Sequence, residues 1–348
     1  MPVTERVYSI TADGHPVKEF TFTNRHGYEA RILEYGCALT HFLVPTSRGK
    51  VDVVLGYDSL ADYERGSASH GAVVGRYANR IEASRFTIDG KDYYLPPNEG
   101  PHHLHGPLSH TLFHGESWGE VVVLRAVSPA GEDGFPGNLE VTVTYTLTAA
   151  DALIMDFRAS TDAPTHVNLT NHTYWNLAGA GSGDVLGHTM VLGSSAFLEC
   201  NAATLPTGAI LPVVGTPFDF RTAAPLSQGL PPNHPQLKLT GGYDHCFLLE
   251  EGAPFAAKVH SPQSGITLEL ATTQPALQLY TGNHLAEDPV PGKGGVRYPK
   301  WGGFALETQH YPCSPSHPSF PSTLLRPGET YHEVAAYHLI SDRPISEP

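Results

Sequence analysis

Hydrophobic and polar positions alternate along much of this chain. After Asn138, Leu139, Val141, Val143, Tyr145 and Leu147 alternate with Glu140, Thr142, Thr144, Thr146 and Thr148. A period of two, rich in β-branched residues, predicts a half-buried antiparallel strand. After a short polar break over 149–152 the pattern resumes through Leu153, Met155 and Phe157, which predicts a hairpin partner packing on the same core. A second hairpin is predicted at Asp89-Gly90, between Phe86-Thr87-Ile88 and Tyr93-Tyr94-Leu95, because an Asp-Gly pair accommodates positive φ in a tight turn. Further strands are predicted over 19–23, 29–34, 51–56, 120–126, 244–250 and 265–271. Helical periodicity is scarce, and one short turn of helix is predicted over 60–65.

Composition narrows the architecture. The 348 residues include 35 glycines and 30 prolines, and both residues break helix interiors, so a helical bundle is excluded. No linker is flanked by a change of composition and no fixed-period repeat occurs, so residues 1–348 are expected to form a single domain. Many strands separated by turn residues predict an all-β fold, two large packed antiparallel sheets rather than a small closed barrel. With 21 basic against 35 acidic side chains and a net charge of −14, the surface repels phosphate backbones and anionic lipids, so neither nucleic acid nor membrane is an expected partner. No apolar stretch has the length needed to span a bilayer and none resembles a leader peptide, so a cytoplasmic location is expected. Cys37, Cys200, Cys246 and Cys313 are scattered without a Cys-x-x-Cys pair, which predicts buried thiols rather than a zinc ribbon or a disulfide framework.

Candidate chemistry lies in a few segments. Gly115-Glu116-Ser117-Trp118-Gly119 matches the nucleophile-elbow spacing, but a strand pattern follows the serine where that motif needs a helix. His102, His103, His105, His110 and His114 fall within thirteen positions. They lack the fixed spacing of a metal site, and one or two of them contacting a polar ligand is the favoured reading over a surface loop. Segments 168–177, 242–245 and 303–309 combine polar side chains with aromatics, as sugar recognition requires. Glu307 follows Phe304, Ala305 and Leu306, and a carboxylate in apolar surroundings is costly unless paired or used. The alternative is an edge-strand glutamate facing water. His172 divides similarly, between a catalytic imidazole and a core-edge histidine satisfied by backbone.

Eight segments, in this order, resemble the aldose 1-epimerase (galactose mutarotase) family: Asp52 to Tyr57, Gly75 to Ile81, Leu104-His105-Gly106, Gly134 to Gly137, Asn168 to Leu177, Tyr243-Asp244-His245, Gln278 to Asn283 and Leu306 to Gln309. The resemblance implies a large antiparallel β-sandwich of the galactose mutarotase-like supersandwich type, with few short helices and an open cleft on one sheet. It implies Glu307 as general base, His172 as general acid, and Asn79, Arg80, His105, Asp244 and Gln278 as the residues that hold the sugar hydroxyls. Two positions depart from the family pattern. Pro107 stands where a second glycine is usual, which is expected to alter the loop carrying His105, and Trp175 stands where phenylalanine is common, which is expected to narrow or reshape the site.

The implied reaction interconverts the α and β anomers of a free aldohexose such as galactose or glucose. A base takes the anomeric proton while an acid protonates the ring oxygen, and the open-chain aldehyde turns about C1–C2 before reclosing. Neither cofactor nor metal is expected, the partner is a monosaccharide, and the chain is expected to be a monomer or weak dimer. Alternatives are an inactive sugar-binding protein of the same fold, a sugar-phosphate epimerase, and a glycoside hydrolase using Asp244 and Glu307 as its carboxylate pair.

Overall fold

In the computed structural model, which describes residues 2–341, the alternating segments form the predicted sheets. Nine antiparallel strands make the largest sheet, in the order His114–Trp118, Val121–Ser128, Leu139–Leu147, Ala152–Thr161, Tyr331–Ile340, Thr267–Thr272, Ala257–His260, Thr189–Leu192 and Ala224–Pro225. Within it Tyr145 pairs with Met155 and Val143 with Phe157, so the apolar residues of both predicted hairpin strands occupy one buried face. A six-stranded sheet runs Tyr174–Trp175, Phe304–Gln309, Ala276–Tyr280, Asp244–Leu248, Ala196–Cys200 and Pro206–Pro212. A five-stranded sheet holds the N-terminal segments from Thr4–Ile10 to Gly49–Asp52.

The nine- and six-stranded sheets share one core. Trp175 of the smaller sheet stacks on Tyr337 of the larger at 5.2 Å between ring centroids, and the Tyr337 hydroxyl donates to the Leu306 carbonyl across the interface at 3.2 Å. Phe304, Leu306, Leu277, Leu279 and Phe247 fill the space between. Because strand side chains alternate between faces, Ala305 and Glu307, Gln278 and Tyr280, and Asp244 must point the other way. That outer face carries the site.

Local turn chemistry follows the sequence. Asp89 and Gly90 adopt φ of 50° and 79°, joining Arg85–Ile88 to Lys91–Tyr94 as an Asp-Gly turn should. The helix Leu60–Arg65 begins at Ser59, whose side chain accepts from the Asp62 amide. A second helix, Pro235–Thr240, went unpredicted although it carries boundary signals, proline at its first turn and Gly241 at φ 71° just beyond its end. The predicted strand 51–56 ends early, at Asp52. There the Asp52 carboxylate accepts from the amides of Phe42 and Val54 and turns the chain, so that the Leu55 amide bonds the Tyr174 carbonyl instead. Ser117 lies within a strand, paired with Val122, so no nucleophile elbow forms. All four cysteines are free and buried. Among the described residues no helix is long and apolar enough to cross a membrane.

Candidate active site

Two rungs of the six-stranded sheet place the central residues. In one, Tyr174 pairs with Ala305, Ala305 with Tyr280, and Tyr280 with Asp244. Two residues along, on the same face, Glu307 pairs with Gln278. Their side chains share the outer face, where a cavity of about 530 Å³ is lined by Asn79, Arg80, His105, His172, Asp244 and Glu307, with Glu99, Tyr174 and Tyr280. Gln278 lies beneath it, its Nε2 donating to Asp244 Oδ1 at 2.7 Å. The strand carrying Glu307 is internal to its sheet and Glu307 is 2 % exposed. An edge-strand glutamate facing water is therefore not what the chain contains.

His172 enters from a neighbouring turn. Its amide donates to the Ala72 carbonyl and its carbonyl accepts from the Gly71 amide, while Asn171 locks the preceding residue by accepting from the Thr173 amide and donating to the Gly71 carbonyl. Gly71 has φ +69°, and a Cβ there would lie 2.1 Å from the Leu39 carbonyl oxygen, so only glycine allows this approach. The result sets His172 Nε2 3.7 Å from Glu307 Oε1.

His105 arrives on the short ladder between His103–Leu104 and Arg80–Ile81, in the left-handed region at φ 65°. Its amide donates to the Asn79 carbonyl, and the Asn79 amide donates to His105 Nδ1 at 3.2 Å. With Nδ1 an acceptor, the neutral ring carries its proton on Nε2. His105, His172 and Glu307 bring potential ligand atoms within 4.8 Å of one another, but a ring protonated on Nε2 offers that atom as a donor rather than a lone pair to a metal. The trio fits a hydroxyl-bearing ligand better than an ion.

Of the five clustered histidines, only His105 lines the cavity. His103 is buried against the Pro96 carbonyl, His102 accepts from the Ala83 amide, His110 meets the Tyr35 hydroxyl and His114 is exposed. Neither residue at the two departures from the family pattern lines the cavity. Pro107 lies outside it, at φ −87° and ψ −10°, angles proline adopts freely. The expectation that Trp175 reshapes the site is corrected: period-two alternation turns Trp175 into the core and gives the site Tyr174 instead. Glu99, Tyr174 and Tyr280 were not singled out from sequence. The tyrosines had a signal in their strand register, whereas Glu99 sits in a loop with none.

Electrostatics follow from burial. Burial pushes the Glu307 carboxyl up to about 8, and Asp244 adds to the rise while Arg80 opposes it. Burial draws the His172 imidazole down to about 4, and His105 falls well below its ordinary value through burial, His172 and Arg80. Asp244 is raised, again chiefly by burial. Glu307 Oε2, His172 Nδ1 and Gln278 Oε1 are buried without a protein partner, and such groups are costly unless a ligand satisfies them.

The sequence profile of the aldose 1-epimerase family matches residues 18–338. The chain belongs to that family. It is 42% identical to a galactose mutarotase of Rattus norvegicus over 339 residues, 95% of this chain and 97% of that protein. It is 37% identical to an aldose 1-epimerase of Escherichia coli K12 over 346 residues, 96% of this chain and 98% of that one. Among solved structures, an aldose epimerase homologue from C. elegans superposes with a TM-score of 0.85 at 33% identity, covering 92% of this chain and 98% of its own. A galactose 1-epimerase from Lactobacillus acidophilus reaches 0.86 at 27% identity, covering 97% and 98%.

Proposed function

We propose that this protein is an isomerase that interconverts the α and β anomers of free aldohexoses such as D-galactose and D-glucose, with Glu307 as the base at the anomeric hydroxyl and His172 as the acid at the ring oxygen. The observation that carries this reading is the buried pair itself. A carboxyl and an imidazole 3.7 Å apart share the floor of a cavity that can enclose one sugar ring, in a chain of the aldose 1-epimerase family.

The proton count fits the reaction. With Glu307 raised to about 8 and His172 lowered to about 4, the pair holds one proton between those limits and is neutral whichever member carries it. Ring opening takes a proton from O1 and returns one to O5, so the pair ends with as many protons as it began, and the roles reverse for closure. Carboxylate paired with imidazolium is the tautomer that the assigned roles use, and sugar hydroxyls donating to Glu307 favour it. Around this pair, Arg80 and His105 Nε2–H supply donors, Asp244 and Gln278 Oε1 supply acceptors, and Asn79 has its Oδ1 occupied by the Arg80 amide, which leaves its NH2 for the sugar. The faces of Tyr174 and Tyr280 suit the sugar's C–H surface.

The four free, buried cysteines suit a reducing compartment and support a cytoplasmic place, and the family's reaction supports a role in hexose metabolism. The direct test is polarimetry of freshly dissolved α-D-galactose and α-D-glucose. Faster approach to the equilibrium rotation than in buffer is expected, and an unchanged rate for every aldose tried would refute the assignment.

A further inference from the structure

Arg80 is held by a residue to which the mechanism above gives no role. Its Nε donates to Glu99 Oε2 at 2.6 Å and its Nη2 to Glu99 Oε1 at 2.7 Å, a fork-to-fork pair that fixes both the plane and the heading of the guanidinium. Among the described residues no protein acceptor takes Nη1, and Arg80 and Glu99 both line the cavity. The chief competing anion is Asp244, the leading charge that raises Arg80 and one that Arg80 in turn draws down. Without Glu99 the guanidinium would be free to turn toward Asp244, which lines the same cavity, and the sugar would then have to break that pair before using either group.

Glu99 is itself on a stiff strap. The Asn98 side chain clasps Leu104 twice, Nδ2 donating to the Leu104 carbonyl at 2.9 Å and Oδ1 accepting from the Leu104 amide at 2.7 Å. Glu99 and His102 exchange backbone hydrogen bonds, and His103 Nδ1 meets the Pro96 carbonyl. Leu104 lies opposite Arg80 in the ladder and immediately precedes His105. One loop therefore orients Arg80 through Glu99 and His105 through Leu104.

We propose that Glu99 is a positioning residue for sugar binding: it holds Arg80 away from Asp244, so that both present themselves separately to the substrate hydroxyls. This rests on the aldose reading of the site. Contacts made equally in ground and transition states govern KM rather than kcat, so Glu99→Ala is expected to raise KM for galactose on the order of tenfold while kcat stays within about threefold. Glu99→Gln keeps the shape and one acceptor, should fold as the parent does, and should fall between the two. Because Glu99 acts through Arg80, the double variant Glu99→Ala/Arg80→Ala should bind galactose no worse than Arg80→Ala alone.

Kinetics by polarimetry and galactose binding by calorimetry, on the full chain, read these outcomes separately. A wild-type KM in Glu99→Ala, or losses that multiply in the double variant, would overturn the proposal. An inactive wild-type protein would instead overturn the mutarotase reading, while the calorimetric comparison would still decide the role of Glu99.

Discussion

At the scale of single residues, the site works by burying groups that water would otherwise fix in the wrong state. Glu307 gains basicity because burial disfavours its charge, and His172 loses it for the same reason. Activity should therefore follow a bell between about pH 4 and about pH 8: below it the pair holds two protons and lacks a base, above it the pair holds none and lacks an acid. Initial rates of galactose mutarotation measured from well below to well above that range test this, and a profile without falling limbs would contradict it. Asp244→Asn should raise KM at least as much as it lowers kcat, since a residue that only holds a hydroxyl loses both contacts together. A fall in kcat at unchanged KM would assign Asp244 to the proton transfers instead. Composition and pattern left Glu307 and His172 undecided between chemistry and structure, and only the family resemblance gave them roles, because pattern reveals which face a side chain takes but not what covers that face. Glu99 was invisible for a further reason, since loop residues obey no period.

Secondary-structure elements convert that chemistry into geometry, and here strand alternation is the main instrument. It sends Tyr174 to the site and Trp175 to the core one residue later, a division that was legible in principle once the strand 174–175 was recognised. Trp175→Phe is accordingly expected to leave kcat/KM near wild type. It should cost at most about 2 kcal/mol of stability, because the lost stacking is partly offset by removing a buried indole N–H without a partner. A large change in substrate affinity would mean that Trp175 does reach the sugar. The turn after His105 is less forgiving. Gly106 has φ +75°, and a Cβ there would meet the Gly75 carbonyl oxygen at 2.5 Å, so Gly106→Ala should displace His105 and lower kcat/KM on the order of tenfold or more. Pro107 adds no such strain, since φ −87° is an angle proline adopts freely. Strand existence was clear from alternation, whereas ends such as Asp52 were set by side-chain hydrogen bonds that no periodicity encodes.

For the whole molecule, the sandwich was the most legible level, because apolar residues at every second position in segment after segment admit few arrangements other than stacked sheets. Its core stabilises the fold, and the site on its outer face detracts from that stability. Glu307 keeps its proton in the folded state to about pH 8, against a usual carboxyl value of 4.5. At Glu307 the native state therefore binds more proton than the unfolded one within that window, and this group's contribution to stability falls as pH rises through it. Glu307→Gln cannot ionise, so it should melt higher than wild type, by little near about pH 5 and by an amount worth on the order of a few kcal/mol near about pH 9. An equal gain at both pH values would argue against the raised carboxyl. The same variant tests the central claim most directly when its mutarotation of α-D-galactose is followed by polarimetry alongside calorimetric binding. The proton-sharing mechanism predicts affinity within about tenfold of wild type with turnover reduced on the order of 10² to 10⁴, the usual contribution of a positioned general base. Wild-type turnover in Glu307→Gln would contradict it.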